Sequence, residues 1–170
     1  MKVITFYSDP PGSNYYSKHA ETWVSNVESY GLDYHIEKLD SNDYWVNTRR
    51  KPQYILDCLE KFKETVLWVD VDTIFKTYKP YISHPFIALK QNTSQLYSSC
   101  LHFEYCEETI NFLQTWRDLC IENANDVSPQ GDHHYLYKAI AKTKMPTHYF
   151  TEDFWDIKTQ SLSPFGGSKH

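Results

Sequence analysis

Asp70 and Asp72 close an apolar run, Val66-Leu67-Trp68-Val69-Asp70-Val71-Asp72-Thr73-Ile74-Phe75, and their type and spacing invite chemistry. Two carboxylates one residue apart, at the end of a buried strand, repel each other and are costly to desolvate. A divalent cation between or beside them relieves both penalties. Ligands of open α/β sheets bind beyond the carboxyl ends of the strands, which is where such a pair would stand. The plain alternative, a strand followed by a solvated acidic turn, describes most isolated Asp-x-Asp pairs.

The elements around the pair read as follows. Lys2 to Ser8 forms a strand that breaks at Asp9-Pro10-Pro11-Gly12, and Ser13 or Asn14 can cap the helix that follows. In that helix Tyr16, Ala20, Trp23, Val27 and Tyr30 recur at helical spacing until Gly31. Leu32 to Leu39 alternates as a second strand, so strand-helix-strand opens the chain and predicts a right-handed crossover in a parallel sheet.

Asp40 to Arg50 reads as a loop, and Lys51-Pro52 starts a helix with Ile55, Leu59 and Phe62 facing inward. The acidic strand comes next, then a connection from Lys76 to His84. Pro85–Leu89 and Tyr97–Phe103 read as strands pairing antiparallel at one side of the sheet. Glu107–Glu122 is a helix, and Ser128-Pro129 opens another that carries Asp132 in its first turn. His148–Phe150 reads as a last short strand, Asp153–Asp156 as a loop, and Pro164–His170 as a flexible end.

The chain of 170 residues suits one domain, with 41% hydrophobic and 23% charged residues and 5 Gly. A net charge of -5 argues against nucleic acid as a partner. No apolar window approaches the roughly 18 residues of a membrane span, and the opening reads as a strand rather than a leader; the expected setting is cytoplasmic. Cys58, Cys100, Cys106 and Cys120 lack metal spacing and read as free thiols. The 14 Tyr and 5 Trp are mostly packing, with a surplus that suits stacking on a base or sugar.

The N-terminal strand and loop, Lys51-Pro52-Gln53 opening a helix, the strand ending in Asp70-Val71-Asp72 and the later Asp132 resemble, in that order, a small nucleotide-sugar glycosyltransferase of the GT-A fold, closest to the glycogenin-like enzymes. The resemblance implies a single Rossmann-like α/β domain over residues 1–170, with a mostly parallel central sheet flanked by helices and a small antiparallel part. It implies Mn²⁺ or Mg²⁺ held by Asp72 directly and by Asp70 directly or through water, bridging the diphosphate of a donor such as a UDP-sugar. Tyr7, Ser8 and Asp9 match the place that holds base and ribose, with Asp70 at the ribose as well. Arg49, Arg50 and Lys51 form a cation cluster that could face phosphate.

Asp132-His133 matches the family's Asp-Gln pair, with Asp132 as base if transfer inverts the anomeric centre. The Gly166–His170 tail carries the residue types that elsewhere meet metal and phosphate, here His170 and Lys169. Tyr97–Phe103 lacks the glycine of the acceptor-side strand. The acceptor would be a carbohydrate or protein-linked glycan. Two rival classes share the features: a magnesium-dependent phosphatase of the haloacid-dehalogenase type, with Asp70 as nucleophile, and a non-catalytic nucleotide-sugar-binding domain.

Overall fold

The computed structural model describes residues 1–40, 44–79, 81–90, 96–125, 131–150 and 155–159. Strand β1 (Lys2–Tyr7) is followed by α1 (Tyr15–Ser29), β2 (Tyr34–Lys38), α2 (Tyr44–Phe62), β3 (Val66–Val69) and β4 (Thr73–Tyr78). Then come β5 (Phe86–Lys90), β6 (Leu96–Phe103), α3 (Glu107–Glu122), α4 (Gly131–Thr143), β7 (His148–Phe150) and β8 (Trp155–Thr159). A six-stranded sheet has the order β2-β1-β3-β6-β5-β7, and β4 pairs with β8 in a separate two-stranded ribbon. The sheet is mostly parallel: β6 runs antiparallel to both its neighbours, β3 and β5, while the pairs β1–β2, β1–β3 and β5–β7 are parallel.

Alternation along the strands divides the core in two. Ile4, Val66 and Trp68 face α2, α3 and α4, while Val3, Leu67 and Val69 face α1, where Ala20, Trp23 and Val27 meet them. Helix α1 ends as its sequence dictates: Gly31 takes φ +65°, Gly31 N–H donates to Glu28 O at 2.9 Å and Leu32 N–H to Val27 O at 3.4 Å, the paired bonds of a Schellman motif. At its start Ser13 Oγ accepts the Tyr15 N–H at 3.1 Å, as the sequence allows, and a second cap comes from further away. Asp9 accepts the Ser17 N–H at 3.0 Å and the Ser17 hydroxyl, while Asn14 makes no side-chain cap bond.

Four expectations are corrected. Residues 44–50 are the first turns of α2, not loop, and Pro52 lies inside that helix. Their inward side chains are polar and aromatic, so apolar periodicity does not reveal the helix; burial of Pro52, Ile55 and Leu59 offsets the lost backbone bond at the proline. The segment from Lys76 is not all connection, because β4 continues to Tyr78. Trp155 and Asp156 belong to β8, its partner, rather than to a loop. The antiparallel strand β6 lies in mid-sheet, not at one side, because β7 adds beyond β5.

Strand β4 leaves the main sheet and is held by α1. Asn26 brackets Phe75, its Nδ2 donating to Phe75 O at 2.8 Å and its Oδ1 accepting from Phe75 N–H at 2.7 Å. Tyr30 adds a bond from its hydroxyl to Lys76 O at 2.6 Å. Two crossover helices therefore begin at the same edge: α1 after β1 on one face of the sheet, α2 after β2 on the other.

Candidate active site

The edge where β1 and β3 end carries a cleft of about 750 Å³, a volume suited to a ligand of nucleotide-sugar size. Tyr7 and Ser8 from the end of β1, Pro10, Pro11 and Tyr16 line one part of it. Asp70 and Asp72 from the turn after β3 line it as well, together with the opening turns of α2 and α4. That turn is tight: Thr73 N–H donates to Asp70 O at 2.9 Å, and Asp70 N–H donates to Ser99 O at 2.8 Å across β6. The chain therefore reverses out of the sheet at the two acids, and β3 gives way to β4.

Lys51 ties the cleft together. Its side chain is only 7% exposed, and its ammonium lies 3.1 Å from Asp70 Oδ1 and 3.1 Å from Asp132 Oδ2. The same ammonium donates to Ser98 O at 3.3 Å and to Ser98 Oγ at 3.2 Å, and it stands 5.3 Å from the centre of the Trp68 ring. Burial acts to lower the pKa of Lys51, but Asp132 and Asp70 more than offset it, so the group stays charged well beyond its ordinary range. By its sequence Lys51 could equally face phosphate or belong to a solvated surface run. It is instead a buried counter-ion that joins α2 to the β3 turn, to β6 and to α4.

The two acids of the pair differ. Asp70 accepts a second bond through the same oxygen, from Trp68 Nε1 at 2.7 Å. Asp72 is pushed up to about 6, by burial first and by the charge of Asp70 second, with its own backbone amide, His19 and Lys51 offsetting only part. The site thus holds a carboxyl for which an added cation would be strongly favourable.

The donor set fits a hard cation: two carboxylates are what Mg²⁺ takes when ligand phosphates and water complete its shell. Among the described residues no three His, Cys, Asp or Glu side chains form a ligand set by themselves. Asp72 and Asp70 would hold the ion.

Asp132 is 5% exposed and occupies the first turn of α4. Its Oδ2 meets Lys51 and takes no hydrogen bond from any other described residue. The next residue, His133, accepts the Ser98 N–H on Nε2 at 3.0 Å. A backbone N–H can only donate, so the proton of the neutral ring sits on Nδ1. Burial lowers the pKa of His133 and favours that neutral form.

Of the residues expected at the site, Tyr7, Ser8, Lys51, Asp70, Asp72 and Asp132 line the cleft together. Ser8 also fixes the loops, its hydroxyl donating to Asp40 O at 2.8 Å. Asp9 is turned to α1; burial raises its pKa, but the bonds from Ser17 and Tyr16 and the Lys38 charge bring it below its ordinary value. Arg50 lines a separate groove of about 360 Å³ between α2 and β2, with His35, Glu37 and Lys61. Arg49 is buried, its Nη1 donating to Ala124 O. Lys169 and His170 lie outside the described residues.

Sequence reasoning missed Tyr44, Asn47 and Thr48, and had Ser98 only as part of the acceptor-side strand Tyr97–Phe103. The first three recur with Lys51 at helical spacing, a signal hidden because none is aliphatic.

The fold is one that glycosyltransferases use. Among the solved structures that resemble it are a glycosyltransferase involved in the glycosylation of the major capsid of PBCV-1 and the glycosyltransferase GlyE of Streptococcus pneumoniae TIGR4. The first superposes with a TM-score of 0.62 at 14% identity, over 88% of this chain and 81% of that chain. GlyE superposes with a TM-score of 0.57 at 14% identity, over 89% of this chain but 45% of its own, so this chain spans less than half of GlyE. No protein-family model matches the sequence, and no curated protein does. At such identity the likeness is one of fold.

Proposed function

We propose that this protein is a glycosyltransferase of the GT-A type that moves a sugar from a nucleoside diphosphate, UDP first among them, to a carbohydrate or protein-linked glycan. The observation that carries the reading is the Asp70–Asp72 turn standing in a cleft of nucleotide-sugar size, in a fold shared with glycosyltransferases. Tyr7, Ser8 and Tyr16 hold the base and ribose, with Tyr16 and Pro11 as flat surfaces beside a ring. Asp72 and Asp70 hold Mn²⁺ or Mg²⁺. When bound, that ion supplies positive charge where the diphosphate gains negative charge as its bond to the sugar breaks.

The residues of the chain do the rest. Lys51 keeps Asp70 and Asp132 at a fixed spacing. Asp132 accepts a hydroxyl hydrogen through Oδ1, Oδ2 being engaged with Lys51, and it is the candidate base if transfer inverts. His133, protonated on Nδ1, donates.

The test is a thermal-shift series with UDP, GDP and their sugars, each with Mn²⁺, Mg²⁺ or chelator. A ligand at a hundred times its dissociation constant stabilises the fold by about 2.7 kcal/mol. The expected result is a metal-dependent rise with one nucleotide, abolished in Asp72→Asn, and release of nucleoside diphosphate on turnover. A rise that survives in Asp72→Asn, or release of inorganic phosphate from phosphomonoesters, would count against the reading.

A further inference from the structure

The opening of α2 has a composition that the core of the molecule does not explain. Tyr44, Asn47, Thr48 and Lys51 stand at i, i+3, i+4 and i+7 and so share one helix face, and all four line the cleft with Trp45. Further along the helix, inward positions are apolar, as Ile55 and Leu59 show, both fully buried. One amphipathic helix thus changes its inward chemistry halfway: hydrocarbon where it packs on the sheet, then an ammonium, a hydroxyl, an amide, an indole and a phenol where it passes the sheet edge.

Tyr44 and Trp45 form an edge-to-face pair with centroids 5.1 Å apart, both half-buried. Tyr44 also feels Asp132, Asp70 and Asp72, whose charges reinforce the effect of burial on its phenol. This end of α2 therefore borders the acidic centre of the cleft.

The placement is fixed by topology. Helix α1 starts on one face of the sheet and α2 on the other, so the Asp70–Asp72 turn lies between two helix beginnings. The α1 side offers Tyr7, Pro11 and Tyr16; the α2 side offers aromatic rings interleaved with neutral donors and acceptors. Rings that cover C–H faces, beside an amide and a hydroxyl that bond hydroxyl groups, match a neutral pyranose. They do not match a second phosphate, since among the described residues the one cation on this face, Lys51, is consumed by two carboxylates.

Resting on the glycosyltransferase reading, we propose that the first two turns of α2 are the acceptor subsite, binding a neutral sugar whose apolar face lies on Trp45 and Tyr44 and whose hydroxyls bond Asn47 and Thr48. The acceptor hydroxyl then approaches the centre from the α2 side, next to Asp132.

Saturation-transfer NMR with methyl β-D-glucopyranoside, methyl β-D-galactopyranoside and methyl α-D-mannopyranoside tests the subsite without turnover. The wild type is expected to saturate ring C–H protons of at least one glycoside, with the signal lost in Trp45→Ala, kept in Trp45→Phe and reduced in Asn47→Ala. Trp45→Phe guards against a failure of Trp45→Ala to fold. In transfer assays Trp45→Ala and Asn47→Ala should raise the KM for acceptor tenfold or more, while Trp45→Phe should leave it close to that of the wild type.

Binding of UDP with Mn²⁺ is measured on the same samples by calorimetry. Absence of UDP binding in the wild type would sink the underlying reading. UDP binding with no glycoside saturated, or with equal saturation in folded Trp45→Ala, would sink the α2 subsite alone.

Discussion

Lys51 shows how one residue acquires its role from its surroundings. A lysine beside a proline at a helix start looks like a surface charge; burial with Asp70 and Asp132 makes it the electrostatic centre of the cleft. Replacing it leaves the buried Asp132 without a counter-ion and the half-buried Asp70 with only its bond from Trp68. Lys51→Met should lower stability by about 3 to 5 kcal/mol, the usual result of breaking a buried pair from one side. Urea unfolding measures it; a loss below 1 kcal/mol would mean the pair contributes little.

Asp72 acts in the opposite sense. Its pKa in the fold, about 6, lies above its ordinary 3.8, so between those values the native state binds more protons than the unfolded chain. Stability contributed by the protonated group is present in full below about pH 4 and is lost as the pH rises through about 6. In chelator, Asp72→Asn should therefore be more stable than wild type at pH 7.5, by at most about 3 kcal/mol at 1.36 kcal/mol per pKa unit. The difference should vanish near pH 4. Paired melts across that range decide it, and a constant difference would refute the assigned cause.

At the scale of elements, the β4–β8 ribbon depends on contacts between distant parts of the chain. Asn26 satisfies both backbone groups of Phe75 and substitutes for a neighbouring strand. Asn26→Ala should cost about 2 kcal/mol, since it leaves two backbone groups to find new partners. Amide exchange at Phe75 should then accelerate while that at Trp68 in β3 does not. Equal acceleration at both would show that the ribbon and the sheet open together.

Helix α2 teaches the complementary lesson. Its second half was legible from Ile55, Leu59 and Phe62, but its first two turns were not, because the residues facing inward there meet a cleft and not hydrocarbon. Periodicity of apolar residues reports burial, and a helix that extends past the edge of a core carries no such mark.

For the molecule as a whole, the two apolar clusters lie on opposite faces of one sheet and share its strands, so neither can persist without the other. Unfolding should be a single cooperative transition whose calorimetric and van't Hoff enthalpies agree, with an enthalpy of about 120 kcal/mol at roughly 0.7 kcal/mol per residue. Two resolved transitions in a calorimeter would show that the faces separate and that the chain is not one domain.

The sequence by itself determined what local chemistry can determine: strand β1 and its break, helix α1 with the glycine that ends it, the two acids after a buried strand, and Asp132 in the first turn of a helix. Each is written in neighbouring residues through propensity, capping and the period of burial. Tertiary structure decided the rest. It turned Asp9 to cap α1 and put Arg50 in another groove, and it closed Lys51 between acids 19 and 81 positions further along the chain. Those choices depend on which elements meet, and contacts between residues so far apart are set by the packing of the whole sheet, which no local pattern encodes.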